Sequence, residues 1–304
     1  MNRPSYGYSA EDPSEPQAQP VCPRHPDRVS YVRCKRCDRP ACPDCQRSAA
    51  VGMLCVDCEN ELSRQQASAR PRNAMGGGMG SRQPVVTYTV MGLSVLFYLG
   101  QVLAPSVMYQ LLMFVPFRAV AMPWTFLTSG FLHGGLLHLA LNMYALWIVG
   151  QYLERSMGHA RFAGVYFASL LAGHTAVYLF ADPASDAWIS GTVGASGGVF
   201  GLFAAVFIVN RRMGAQTAQI AVLIGLNLVF TFTIPNISWQ GHLGGLVMGA
   251  LLTAAMFALR PKAAPGVDRQ SLARRSALTH GAIITGGIVL CLALVLGKVL
   301  LLMV

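Results

Sequence analysis

The chain has 304 residues, 53% of them hydrophobic and only 12% charged. That is about half the charged share of a typical soluble domain, so an ordinary water-soluble protein is excluded. The net charge of +10 does not point to nucleic acid, because the basic residues largely flank apolar stretches and read as membrane topology signals.

Residues 1–20 (MNRPSYGYSAEDPSEPQAQP) are polar and Pro-rich without an apolar centre, and they read as a disordered tail, not a secretory signal. A Cys-rich module follows at 21–61. It presents Cys22 and His25 as C-x2-H, then Cys34/Cys37, Cys42/Cys45 and Cys55/Cys58 as three C-x2-C pairs. Eight such ligands can build two closed tetrahedral sites, so two structural zinc ions are expected. A cytosolic placement argues against disulfides. The spacing resembles a B-box or a related set of zinc-binding knuckles. A cross-braced arrangement of that kind joins Cys22, His25, Cys42 and Cys45 at one zinc and Cys34, Cys37, Cys55 and Cys58 at the other. So short a module buries little core, so metal would supply its folding energy, and its role is expected to be regulation or a cytosolic protein partner. The one remaining cysteine, Cys291, falls in an apolar stretch and reads as a buried, unreactive thiol.

Residues 62–85 contain AMGGGMGS and scattered Arg and read as a flexible linker. Beyond it, seven stretches are apolar enough to cross a bilayer, at roughly 86–103, 134–152, 161–180, 194–210, 216–234, 240–259 and 279–303. Nine of the 13 acidic residues lie at or before Glu61; only Glu154, Asp182, Asp186 and Asp268 follow, none inside a proposed span. Arg70, Arg72 and Arg82 precede span one, Arg155 and Arg161 follow span two, and Arg211 and Arg212 follow span four. Arg260, Lys262, Arg269, Arg274 and Arg275 follow span six. The alternate loops carry Arg118, Asp182 and Asp186 and almost no other charge. The expectation is a multi-pass cell-membrane protein with a cytosolic N-terminus and an outside C-terminus, and Lys298 snorkelling outward.

Spans two, four and six run outside to inside, and each carries polar residues near its outer end. Span two supplies His138 and Asn142, four residues apart and so on one helix face. Span four opens with GTVGASGG, placing Ser196 just inside the apolar region, and span six opens with SWQGHLGG, placing His242 at similar depth. A lone Ser or Asn here would read as interhelical hydrogen-bond glue; Ser, Asn and two His at one depth from three helices do not. Gly197 and Gly201, like Gly245 and Gly249, are spaced for close helix approach, which would bring Ser196 towards His242. A serine hydroxyl becomes an effective nucleophile when a neutral imidazole accepts its proton. Asn142, His138 and the Ser196 N–H are candidate donors to the oxyanion. With no carboxylate in the spans, a Ser–His dyad is expected, not a triad.

HGGLLHLALNM (His133–Met143), GASGGVFG (Gly194–Gly201) and GHLGGLVMG (Gly241–Gly249) together closely resemble the rhomboid family of intramembrane proteases, over roughly 86–260. The resemblance implies an all-α polytopic bundle of six core transmembrane helices, with residues 261–304 adding a cytosolic loop and a seventh helix. It implies cleavage of membrane-anchored substrates within or beside a transmembrane segment, with Ser196 as nucleophile, His242 as base, His138 and Asn142 around the oxyanion, and no cofactor for catalysis. The family often has Trp-Arg in the first outer loop, where this chain has Trp124-Thr125, and a Tyr where Phe200 stands; Phe should keep the stacking face. Trp124 reads equally well as an interfacial anchor. His133 lies at the outer mouth of span two, where it could help solvate the site; His174 reads as an interhelical hydrogen-bonder, and His280 has no implied role. The alternative is a catalytically silent relative that binds transmembrane clients. A transporter is disfavoured by the lack of internal repeats and of charges within the spans.

Overall fold

The computed structural model describes residues 19–50, 52–69, 83–234, 237–261 and 268–303; the expected tail and most of the linker lie outside them. The chain divides into two compact units, Met1–Arg70 and Pro71–Val304.

The first unit is small. Strands β1 (Val21–Cys22) and β2 (His25–Val29) pair antiparallel, as do β3 (Gln46–Ala49) and β4 (Gly52–Cys55), and helix α1 (Val56–Ala69) follows directly. Gly52, with φ +86°, turns the second hairpin. Its buried cluster is made almost entirely of cysteines, joined by Ala41, with Leu54 and Val56 packed against it. That composition offers donor atoms where a small domain would otherwise bury apolar side chains.

The second unit is helical. Among the described residues five helices are long and apolar enough to cross a membrane: α2 (Val85–Leu103), α5 (Leu136–Met157), α6 (His159–Phe180), α9 (Trp239–Ala258) and α10 (Arg269–Leu302). Between α2 and α5 lie α3 (Pro105–Leu112) and the single-turn α4 (Thr125–Thr128). Among the described residues one shorter helix, α8 (Ala218–Thr233), is also apolar, and α7 (Ser196–Arg212) is largely buried within the bundle.

Helix α6 is the centre: 72% of its apolar window is buried inside the protein, against 6% for α10. Around it, Leu146, Leu153, Phe162, Val165, Tyr166, Leu202 and Met256 form one continuous core. Exposed Leu and Val on α2, α5, α8 and α10 are the outward surface of a bundle whose solvent is lipid.

The helix boundaries depart from the sequence reading for local reasons. Helix α7 starts at Ser196, not 194, because Gly194 sits at φ +130°. Helices α5 and α6 are separated by one residue, Gly158 at φ +86°. Helix α5 therefore runs past the expected end at 152 and includes Glu154, so one carboxylate does lie in a spanning helix. It is almost fully buried and satisfied: Val86 N–H and Thr87 N–H donate to it at 2.8 Å, Thr87 Oγ1 donates at 2.6 Å, and His159 Nδ1 lies at 2.5 Å. It caps the start of α2, where an anion is favoured. Helix α10 begins ten residues early, capped by the Asp268 carboxylate, which accepts from Gln270 and Ser271 N–H. His280 accepts from Arg161 Nε at 2.6 Å and bonds the Met256 carbonyl, tying α10 to α6 and α9. Lys298 donates to the carbonyls of Tyr178, Leu179 and Ala181 at the end of α6; it is used inside the fold and does not simply snorkel outward.

Candidate active site and metal centres

Helices α7 and α9 cross on glycine. A Cβ built on Gly245 would lie 2.0 Å from the Gly197 carbonyl oxygen, and one on Gly249 would lie 2.2 Å from that of Gly201. A Cβ on Gly173 of α6 would lie 2.7 Å from the Gly241 carbonyl oxygen. Three backbones thus touch, because small residues allow it. The contact lies beside Ser196 and His242, each one residue from a glycine of the crossing.

Ser196 is the first residue of α7. The helix's first backbone bond comes from Val199 N–H to Ala195 C=O, so the N–H groups of Ser196, Gly197 and Gly198 are not used by the turn they open. They aim partial positive charge at the space in front of the serine, whose side chain is half-buried. Phe200, one turn on and on the same face, stacks on His242 at 4.1 Å between ring centres and 16° between planes. The imidazole therefore lies along the face of α7 that Ser196 heads. Among the described residues no hydrogen bond joins Ser196 Oγ to His242.

A Cβ on Gly194 would meet His138 Cε1 at 2.8 Å, its Nε2 at 3.0 Å and Ser196 Oγ at 3.6 Å. Gly194 thus marks the point where the loop, His138 and Ser196 converge. The Gly134 N–H donates to His138 Nδ1 at 3.2 Å, which puts the neutral ring's proton on Nε2, the atom nearest that point. Asn142 is buried, and its Nδ2 donates to the His138 carbonyl at 2.9 Å. The four predicted residues come from the N-terminal halves of α5, α7 and α9; His138 and Ser196 meet at Gly194, His242 stacks on Phe200, and Asn142 bonds within α5.

Several supports surround the site, and two of them, Gln101 and Thr231, carry no mark in the sequence. Gln101 of α2 grips the His133 peptide twice, accepting from its N–H at 2.9 Å and donating to its carbonyl at 3.0 Å. His133 packs edge-on against His138, with ring centres 5.2 Å apart. Arg118 donates to the carbonyls of Tyr109 and Met113, and Trp124 Nε1 donates to that of Leu111 at 2.8 Å, so the first loop is anchored without an arginine at 125. Thr125 is itself buried, its hydroxyl donating to Met122. His174 Nδ1 lies 2.9 Å from the Phe126 carbonyl, which fits the interhelical hydrogen-bonding expected of it. Thr231 of α8 lies 2.7 Å from His242 Nδ1; a threonine eleven residues upstream in an apolar run carries no sequence signal.

In the N-terminal unit the eight predicted ligands form two groups, Cys22, His25, Cys42 and Cys45, and Cys34, Cys37, Cys55 and Cys58. Within each group the candidate ligand atoms all lie within 4.8 Å of one another. His25 Nδ1 is 3.3 Å from Cys42 Sγ and 3.4 Å from Cys45 Sγ, and the Cys37 and Cys55 sulfurs are 3.8 Å apart. Tetrahedral zinc with bonds of about 2.3 Å sets sulfurs about 3.8 Å apart, so the donor sets fit zinc. Backbone N–H groups, first that of Cys42, hold the Cys22 thiol down at about 6. Burial pushes Cys58 up to about 12.

A rhomboid-domain family model matches residues 120–259. The chain is 40% identical over 138 residues to the rhomboid protease GluP of Bacillus subtilis, covering 44% of this chain and 26% of GluP. It is 32% identical over 136 residues to RHOMBOID-like protein 7 of Arabidopsis thaliana, covering 42% of this chain and 41% of that protein. It is 28% identical over 158 residues to the rhomboid protease AarA of Providencia stuartii, covering 43% of this chain and 55% of AarA. In each case the chain spans less than two thirds of the relative's length.

Proposed function

This chain belongs to the rhomboid family, and from that premise we propose that it is an intramembrane serine endopeptidase cleaving membrane-anchored proteins within or beside a transmembrane segment. The observation that carries the reading is the meeting of His138 and Ser196 at Gly194, where α7 begins, with His242 stacked on Phe200 one turn along the same helix. Ser196 Oγ attacks the scissile carbonyl carbon while His242 takes its proton. The oxyanion is held by the Ser196 N–H, the Nε2–H of His138 and the Asn142 amide. Collapse expels the amine, which receives the proton from His242. Water, activated by the same imidazole, then releases the acyl group and restores Ser196.

Depth supports the intramembrane site. Helix α7 has 17 residues, about 26 Å at 1.5 Å per residue, against a hydrocarbon core of about 30 Å. With Arg211 and Arg212 at the cytosolic surface, Ser196 falls below the outer one. The positive-inside placement of these and the other loop arginines supports a cytosolic N-terminus and an outside C-terminus. The N-terminal unit is then a cytosolic module folded on two structural zinc ions, which serve no catalytic step and shape a surface for a protein partner.

The test is labelling by a fluorophosphonate probe of the full chain in detergent or vesicles. Wild type should label, and Ser196→Ala and His242→Ala should not. Folded wild type that fails to label would favour a silent, client-binding relative; Ser196→Ala that labels equally would mean another nucleophile.

A further inference from the structure

Helix α8 buries one side chain, and it is polar: Thr231. Its Oγ1 lies 2.7 Å from the Asn227 carbonyl oxygen, one turn back, and 2.7 Å from His242 Nδ1. The carbonyl can only accept, so the single hydroxyl proton satisfies Asn227 and leaves the oxygen's lone pairs facing Nδ1. With the hydroxyl proton placed on the Asn227 carbonyl, Nδ1 is the group that carries a proton and donates it to Oγ1. A neutral imidazole protonated at Nδ1 has its free lone pair at Nε2, which has no hydrogen-bond partner among the described residues. Phe200 fixes the ring's plane and Thr231 its rotation within that plane.

We propose that Thr231 is a positioning residue that holds His242 as the Nδ1–H tautomer, leaving Nε2 to accept the Ser196 proton; this rests on the protease reading. A neutral hydroxyl from α8 thus fills the orienting place that a carboxylate fills in a Ser-His-Asp triad. Glu154, the one carboxylate inside a described spanning helix of the core, is committed elsewhere, to α2 and His159. A hydroxyl back-bonding to its own helix is common and often only structural, so the test must read the imidazole itself.

The experiment is nitrogen NMR of the full chain with 15N-labelled histidine in lipid vesicles, the His242 signals being those lost in His242→Ala. It is paired with the rate of fluorophosphonate labelling. Wild type and Thr231→Ser should show Nδ1 protonated and Nε2 bare. Thr231→Val, which keeps the shape and removes the acceptor, should populate the Nε2–H form. It should label about tenfold more slowly, the scale of one buried hydrogen bond, with probe affinity unchanged, and Thr231→Ser should restore the rate. Wild type protonated at Nε2, or a Thr231→Val spectrum identical to wild type, overturns the proposal. Spectra as expected with no labelling of wild type would uphold the tautomer assignment and sink the protease reading.

Discussion

Replacing Gly245 by alanine should force α9 away from α7. The new Cβ would sit 2.0 Å from the Gly197 carbonyl oxygen and 2.7 Å from the carbonyl carbon, whereas ordinary contact begins at 3.4 Å. The obstructing atoms are backbone, with no rotamer to give way. The helices must therefore part by about 1 Å or more, at a cost of about 1–3 kcal/mol, offset by at most about 1 kcal/mol from alanine's better helix propensity. Gly197 adjoins Ser196, and His242 lies three residues before Gly245, so the displacement falls on the reacting pair. A misplacement of about 1 Å can cost about 100-fold in rate. Labelling of Ser196 by the fluorophosphonate probe, with thermal unfolding followed in parallel, reads both effects. Gly225→Ala is the control: its Cβ meets nothing within 4 Å, so rate and stability should hold. Gly245→Ala with wild-type labelling and unfolding temperature would refute the argument that backbone contact between α7 and α9 sets the site.

Other perturbations probe separate supports. Phe200→Leu removes the stacked ring from His242 and should slow labelling several-fold, about 1 kcal/mol, without changing expression; an unchanged rate would show the stack to be idle. Glu154→Gln removes the charge on which Val86, Thr87 and His159 converge. It should destabilise the bundle by about 2–3 kcal/mol, read as a lower unfolding temperature, and equal stability would mean the α2 cap is dispensable. Purified full-length protein should carry about two zinc ions, and Cys34→Ser should lose one of them by elemental analysis. Protons compete with metal for thiolates, so zinc should be released on acidification and retained at neutral pH; a chromogenic chelator reports it, and pH-independent retention would contradict thiolate ligation.

Motif order and apolar length alone predicted seven helices and the residue types of the candidate site. Three short polar motifs at one depth are improbable as glue, and eight Cys and His at knuckle spacing admit few arrangements. These signals are local: a span, a C-x2-C or a glycine spaced every fourth residue is written into neighbouring positions. The partners across space are not. That Glu154 lies within α5 and caps α2 depends on Gly158 turning the chain in one residue, which hydropathy does not register. That Arg118 anchors the loop carrying Trp124-Thr125 depends on where the carbonyls of Tyr109 and Met113, at the end of α3, point. The placement of Thr231 against His242 depends on how α8 lies along α9. An isolated threonine in an apolar run looks the same in sequence whether it faces lipid or an imidazole; only packing decides which.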